Sequence, residues 1–231
     1  MPKPFQIIES IATNEGLLEL RGRGEKEFVI TVAGRVLMNS RAHQSEAALG
    51  RLACGHLGNR TAPRVLVGGL GMGFTLRAVL DHLPASARVT VAELNPAVLD
   101  WCRGPLAGLT HAAVDDPRVN VEIGDVALLI RNAARDARTP KYDAIVLDLY
   151  NGPYSGVSHQ EDPLFGKTAL DNARAALAPG GIFAVWGEDY DAGFEKRLRA
   201  AGFAVSVSRE GRGGPRHVVY LGRMRMDWKR S

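Results

Sequence analysis

The stretch RVLVGGLGMGF, residues 64–74, decides the fold. Its first half is a short apolar run that predicts a buried strand, and the glycines that follow predict a tight turn. Residues 74–82 then have the apolar spacing of a helix. A strand, a glycine-rich turn and a helix in this order are typical of the first βα unit of a Rossmann-like sheet.

The alternation of short apolar runs with helical segments continues along the chain. We expect a long helix at 163–177, ending where proline and glycines follow at 178–181, and further strands at 89–92, 119–123, 143–147, 182–185, 204–208 and 217–221. Alternating strands and helices build βαβ units and a mostly parallel sheet with helices on both faces. The predicted fold class is therefore α/β, with a Rossmann-like, doubly wound, mostly parallel sheet of seven strands.

The first sixty residues have a different pattern. Residues 17–21 and 27–32 predict two strands with glycines available for the turn between them, and residues 45–54 predict a helix. We therefore divide the chain into a small N-terminal β-hairpin domain with a linking helix, residues 1–60, and a Rossmann-like domain, residues 61–231.

The composition is that of a globular protein and disfavours membrane proteins, metalloproteins and nucleic-acid-binding proteins. The chain has 231 residues, 45% of them apolar and 23% charged, with a net charge of +4. No apolar run approaches the roughly 18 residues of a membrane-spanning helix, and no secretory leader is evident, so we expect a cytoplasmic protein without a membrane partner. Two cysteines and no ligand-like spacing of His, Cys and Asp predict no metal site. The basic residues are too sparse for a nucleic-acid stripe, so no nucleic-acid partner is expected.

Glycines follow the first predicted strand. Gly69, Gly71 and Gly73 let the main chain turn tightly and approach a ligand, and the N-terminus of the next helix favours negative charge. Dinucleotide sites share such turns, but here Phe74 stands where the dinucleotide fingerprint has a small residue, which disfavours NAD. A tight turn without any ligand is the alternative.

Carboxylates follow the next two predicted strands. Glu93 lies twenty residues (93 − 73) beyond Gly73, where a carboxylate can accept both hydroxyls of a ribose, or alternatively lie at a helix N-terminus. Asp125 can accept from the exocyclic amine of a base, or alternatively cap a helix. Because ligands bind outside the carboxyl ends of parallel strands, the glycines, Glu93 and Asp125 together predict a nucleoside site.

These residues lie in an order that resembles a known family. The chain has VLV followed by glycines at 65–73, VAELNP at 91–96, DDPRVNVEIGD at 115–125, YDAIVLD at 142–148 and LAPGG at 177–181. This order resembles class I S-adenosylmethionine-dependent enzymes, and most of all the spermidine synthase (polyamine aminopropyltransferase) family, from about residue 64 to 186.

The resemblance implies a role for each of these residues. The three loop glycines would line the site of S-adenosylmethionine or its decarboxylated form, Glu93 would hold the ribose, and Asp125 would hold the adenine. Asp148 falls on the first aspartate of the family's Asp-Ser-Ser-Asp-Pro segment, so it would accept a proton or orient the donor. Capping of the loop is the alternative for Asp148. The resemblance also implies a homodimer and a small-molecule acceptor.

Two positions depart from the family pattern. Met72 stands where the family has an aspartate that holds the donor's aminopropyl ammonium, and Asn151 stands where it has the second aspartate of Asp-Ser-Ser-Asp-Pro. Carboxylates attract ammonium groups, so their loss weakens the case for a decarboxylated donor or a polycationic acceptor. Methionine and asparagine tolerate the carboxylate of intact S-adenosylmethionine better.

The remaining candidates lie in loops. Tyr150 follows Asp148 and is a second catalytic candidate. Asn151, Tyr154 and Arg41 are candidates for an acceptor pocket, where Arg41 could hold an acidic acceptor. For the two tyrosines and Asn151 the alternative is a plain loop role, and for Arg41 it is a surface ion pair.

Three hypotheses on function follow. The leading one is an S-adenosylmethionine-dependent transferase that moves a methyl, or less favourably an aminocarboxypropyl, group onto a small-molecule nucleophile. The second is aminopropyl transfer from decarboxylated S-adenosylmethionine to putrescine or a related amine, with Glu161, Glu188 or Asp189 replacing the missing carboxylates. The third is a nucleoside-binding module without catalysis.

Overall fold

The computed structural model describes residues 4–150, 152–153, 162–210 and 217–224. Within these residues the chain forms two sheets. The first is antiparallel, with the strands β1 (Gln6–Thr13), β2 (Gly16–Arg23), β3 (Glu27–Val32) and β4 (Arg35–Asn39) in sequence order. The second has the strands β5 (Arg64–Gly68), β6 (Arg88–Glu93), β7 (Val119–Ile123), β8 (Tyr142–Leu147), β9 (Leu177–Gly187), β10 (Phe203–Glu210) and β11 (His217–Met224).

The large sheet confirms the predicted fold class. Its seven strands lie in the order β10-β11-β9-β8-β5-β6-β7. Strands β5 to β9 pair in parallel, and β11 is antiparallel to both of its neighbours. Because the chain proceeds from β5 to β6 on one side and returns to β8 on the other, the strand order reverses beside β5. The crevice at such a reversal is where ligands bind in open α/β sheets.

Helices cover both faces of this sheet. They are α1 (Gln44–Cys54), α2 (Phe74–Asp81), α3 (Pro96–Arg103), α4 (Val126–Arg135), α5 (Lys167–Ala176) and α6 (Ala192–Ala200). Successive side chains of a strand point to opposite faces, so Val65 and Val67 pack in a core with α1, α2 and α3, whereas Leu66 packs in a core with α4, α5 and α6. No described helix is long and apolar enough to cross a membrane.

The N-terminal sheet is separate and antiparallel, but it has four strands where two were expected. The sequence pattern missed β1 because six of its eight residues are exposed, and it missed β4 because none of its residues is fully buried. The predicted strands β2 and β3 supply the packed face, with Leu20 and Ile30 in the same core as α1 to α3. The boundary at residue 60 stays a prediction; α1, which precedes it, packs against α2 and β9.

Strand β9 begins earlier than expected. Leu177 already pairs with Tyr142, and the register shifts before Ala144 pairs with Ile182. Gly180 has a φ of +74°, so residues 178–181 form an irregular stretch of strand instead of a break between helix and strand. The preceding helix α5 is shorter than predicted, beginning at Lys167.

Candidate functional site at the carboxyl edge of the sheet

The loop between β5 and α2 has a main chain that requires glycine. Gly69, Gly71 and Gly73 have φ values of +87°, +52° and +83°, which L side chains rarely adopt. A Cβ on Gly69 would overlap the main-chain oxygen of Asp148, and one on Gly71 would lie 2.7 Å from Sδ of Met38. The loop is therefore packed tightly between the end of β8 and β4.

The carboxylate of Glu93 fixes this loop. Its Oε2 accepts from the N–H of Leu70 at 2.9 Å, and its Oε1 accepts from the N–H of Asn95 at 2.9 Å. A carboxylate has about four acceptor positions, so both oxygens keep capacity for further donors such as ribose hydroxyls. The half-buried Glu93 thus joins the ends of β5 and β6, and its contact with a ribose stays a prediction.

Asp125 is the N-cap of α4. Its Oδ1 accepts from the N–H of Ala127 at 2.8 Å, which is the alternative that the sequence left open. The neighbouring Gly124 donates its N–H to the main-chain oxygen of Glu93 at 2.8 Å, so the two carboxylates follow adjacent strands at one edge. Contact of Asp125 with an adenine stays a prediction.

Asp148 is held against the glycine loop and α2. Its N–H donates to the main-chain oxygen of Gly68 at 2.9 Å, and its Oδ2 accepts from Oγ1 of Thr75 at 2.6 Å. Burial, reinforced by the negative charge of Glu46, raises the pKa of the Asp148 carboxyl to about 7, against the lowering effect of the Thr75 hydrogen bond. A carboxylate with such a pKa can take up and release a proton at neutral pH.

The sequence analysis missed Glu46 and Thr75. Glu46 lies on α1 and is only 7% exposed, and Thr75 lies on α2 and is 2% exposed. The signal for Glu46 was available: it precedes Leu49 by three residues and Ala53 by seven, so it shares their apolar helix face. An acid on a buried face needs an explanation, and here its charge acts on Asp148.

Two apolar side chains also bear on the site. Leu94, directly after Glu93, is 73% exposed, an unusual position for a large apolar residue and a suitable contact for the face of a base. Met72 is fully buried in the core with α1 to α3, so in this structure it offers no accessible surface to a donor. This weakens the sequence-based argument that Met72 selects intact S-adenosylmethionine.

The acceptor-pocket candidates remain untested. Arg41 is exposed and forms an ion pair with Glu27 on the N-terminal sheet, which favours the surface role that the sequence left open. Tyr150 is half-buried in the turn after β8, two residues from Asp148. Asn151 and Tyr154 lie outside the described residues. Among the described residues, no three His, Cys, Asp or Glu side chains are grouped closely enough to hold a metal ion.

The strand order and this edge of the sheet define the class of protein: the chain has the class I methyltransferase fold. Within that class it belongs to the spermine/spermidine synthase domain family, which matches residues 52–192.

Curated relatives carry related names. A polyamine aminopropyltransferase of Mycobacterium tuberculosis is 31% identical over 155 residues, which are 63% of this chain and 28% of that protein. A spermidine synthase of Dictyostelium discoideum is 35% identical over 121 residues, 52% of this chain and 38% of that protein. The matched regions thus span well under half of the length of these relatives.

Solved structures share the fold. The spermidine synthase of Thermotoga maritima superposes with a TM-score of 0.73 at 21% identity, covering 96% of this chain and 74% of that one. Human methyltransferase-like protein 13, solved with SAH, gives a TM-score of 0.59 at 23% identity, covering 80% and 82%. The predicted resemblance to the spermidine synthase family is confirmed.

Proposed function

We propose that this chain transfers an aminopropyl group from decarboxylated S-adenosylmethionine to a small amine. The observation that carries the proposal is the half-buried Asp148 carboxylate beside the glycine loop, which Thr75 holds in place and on which the charge of the buried Glu46 acts. Two acids at a protected edge attract ammonium groups, and amines are the acceptors that must lose a proton before they can react. Family membership supports the same reaction.

The transfer reaction needs two things from the protein: correct placement of the reactants and a base that accepts a proton. Asp148 takes one proton from the acceptor ammonium, and the freed nitrogen lone pair attacks the carbon bonded to the donor sulfur. The carbon–sulfur bond breaks, its electron pair stays on sulfur, and the sulfonium leaves as a neutral thioether. The protein contributes by holding nitrogen, carbon and sulfur in line.

The donor's nucleoside has partners in this edge of the sheet. The loop glycines let the main chain approach it, and Glu93 has acceptor capacity left for the ribose. Asp125 keeps the role proposed from the resemblance, at the adenine. The homodimer, the cytoplasmic location and the domain boundary at residue 60 also stay proposals.

Methyl transfer is the second candidate. It was the leading hypothesis from the sequence. It is favoured because Met72 and Asn151 stand where the family has aspartates, so two carboxylates that would attract ammonium groups are missing. The shared fold of human methyltransferase-like protein 13 is compatible with it. The burial of Met72 and the family membership place it second.

Titration calorimetry with the two donors tests the proposal. We expect tighter binding of decarboxylated S-adenosylmethionine than of the intact donor, followed by formation of an alkylated amine when putrescine is added. Asp148→Asn is the control, because it should retain donor binding and lose turnover. Preference for the intact donor would refute aminopropyl transfer and support methyl transfer. Donor binding with no product from either donor would support the non-catalytic module.

A further inference from the structure

The opposite end of the large sheet, where the parallel strands begin, carries two adjacent arginines. Arg64 begins β5 and Arg88 begins β6, and they are register partners in this parallel pair. Successive side chains of a strand alternate between the two faces, and neighbouring strands lie about 4.8 Å apart. Arg64 and Arg88 are therefore side by side on the face where Leu66 packs with α4 to α6. Two like charges in this arrangement repel each other unless an anion compensates them.

A cavity of about 310 Å³ lies beside the two arginines. Arg64 and Arg88 line it together with Thr90, Asn120 and Tyr142, and no described aspartate or glutamate is part of its lining. Thr90 and Asn120 are register partners on β6 and β7, so their polar side chains share the face of the arginines. The volume lies at the lower end of the range for sites that hold small molecules.

Two other arginines at this end of the sheet already have acidic partners. Arg118, which also lines the cavity, pairs with Asp116 at 2.7 Å and donates to two main-chain oxygens. Arg60 pairs with Asp143, whose second oxygen accepts from the main-chain N–H of Arg64 at 2.8 Å. Both carboxylates are thus occupied, and neither forms an ion pair with the Arg64 or Arg88 side chain.

The side chains of Arg64 and Arg88 have no acidic partner among the described residues. Nε of Arg64 is buried without a hydrogen-bond partner, and its Cζ lies 5.9 Å from the centroid of the Tyr142 ring. Arg88 is exposed. Glu122, which is exposed on the same face of β7, accepts from the side-chain amide of Asn120 at 3.2 Å. A buried donor that lacks an acceptor costs free energy, so this cavity favours an occupant that supplies acceptor oxygens and negative charge.

We propose that this cavity binds a phosphate group between Arg64 and Arg88, either as free inorganic phosphate or as the phosphate ester of a small molecule. A phosphate dianion matches two guanidinium groups in charge, and its oxygens can accept from the planar N–H forks of both. The hydroxyl of Thr90 and the amide of Asn120 provide further donors on the same face. The site is separate from the candidate active site, because Arg64 and Gly68 are at opposite ends of β5, about 13 Å apart.

Titration calorimetry of the full chain at pH 8 and constant ionic strength tests the proposal. The probes are inorganic phosphate and glycerol 3-phosphate, which are both dianions at this pH, and acetate is the monoanionic control. We expect one phosphate site per chain and binding of acetate that is about tenfold weaker or less. Tighter binding of glycerol 3-phosphate than of inorganic phosphate would assign the site to an ester, and the reverse would assign it to free phosphate. Absence of binding by both phosphate probes would overturn the proposal.

Three variants show where the phosphate binds. Arg64→Gln and Arg88→Gln should each lower phosphate affinity about tenfold or more, because each removes charge-assisted hydrogen bonds. Arg35→Gln is the matched control: Arg35 is exposed and also begins a strand, but it lies on β4 in the N-terminal sheet. It removes the same charge and should keep the affinity. Equal weakening in Arg35→Gln would overturn the proposal, because it would reveal only a general attraction of anions to a basic chain.

Thermal unfolding gives an independent readout on Arg88→Gln, whose exposed position allows replacement without loss of packing. Without phosphate this variant should have a higher Tm than the unchanged protein, because the repulsion by Arg64 is removed. Saturating phosphate should raise the Tm of the unchanged protein more than that of the variant, since specific binding adds to the general stabilisation by phosphate. An equal rise in both proteins would overturn the assignment of the site.

Discussion

Replacing Gly69 by alanine should be far more damaging than replacing an ordinary turn glycine. Gly69 has a φ of +87°, and an added Cβ would overlap the main-chain oxygen of Asp148 while lying 3.2 Å from a methyl of Leu149. The carbonyl oxygen belongs to the main chain at the end of β8, so it cannot rotate away as a flexible side chain would. The loop and the strand end must separate instead.

Gly24 provides the matched control. Its φ is +64°, and nothing lies within 4 Å of the position of an added Cβ. Gly24→Ala therefore carries the left-handed backbone strain alone, about 1–2 kcal/mol. Gly69→Ala carries the same strain and in addition an overpacking cost of about 1–3 kcal/mol. The effect of alanine on the unfolded chain is common to both variants and cancels in the comparison.

Differential scanning calorimetry measures the difference. For a chain of this size, 1 kcal/mol corresponds to about 2–4 °C in Tm, so Gly69→Ala should unfold roughly 2–12 °C below Gly24→Ala. Because Gly69 lies in the loop proposed to line the donor site, Gly69→Ala should also lose donor binding in calorimetric titration, which Gly24→Ala should keep. Equal Tm values and equal donor affinity for the two variants would refute the close packing of loop and strand.

Three further predictions concern the carboxylates. Asp148→Asn should be more stable than the unchanged protein at pH 8 by on the order of 4 kcal/mol, because a pKa raised from 3.8 to about 7 makes the folded state lose stability as pH rises through that interval. Denaturant titrations should show the gap closing by about pH 4, and a pH-independent gap would contradict the prediction. Asp125→Ser should keep the helix cap and therefore the Tm, but it should weaken donor binding because the carboxylate that contacts the base is lost; Asp125→Ala should in addition lose about 1 kcal/mol of stability. Unchanged donor affinity in the serine variant would show that Asp125 only caps the helix. Glu93→Gln leaves only one acceptor oxygen for the N–H groups of Leu70 and Asn95, so the free energy of unfolding measured with a chemical denaturant should fall by about 1–3 kcal/mol and donor affinity should fall about tenfold or more. Full donor affinity in this variant would argue against a place for Glu93 in the site.

The strand ends were predictable because the sequence marks them locally. Apolar runs that stop at Gly68, Glu93 and Leu147 fix where each strand ends, and parallel strands bring their carboxyl ends to one edge. This is enough to gather the glycine loop, Glu93 and Asp148 from more than seventy residues of sequence. The sequence pattern did not predict strand β1, because an exposed edge strand has no buried face that would impose an alternation of apolar and polar residues.

The sequence by itself therefore determined the fold class, the strand ends that share one edge of the sheet and the family resemblance, since each depends on patterns that local chemistry imposes on neighbouring residues. The tertiary structure alone decided that the charge of Glu46 acts on Asp148, that Met72 is buried in the core, and that Arg41 pairs with Glu27. These relations depend on how α1 and the N-terminal sheet pack onto distant strands. Apolar periodicity shows which face of an element is buried, but it does not show which distant element packs against that face.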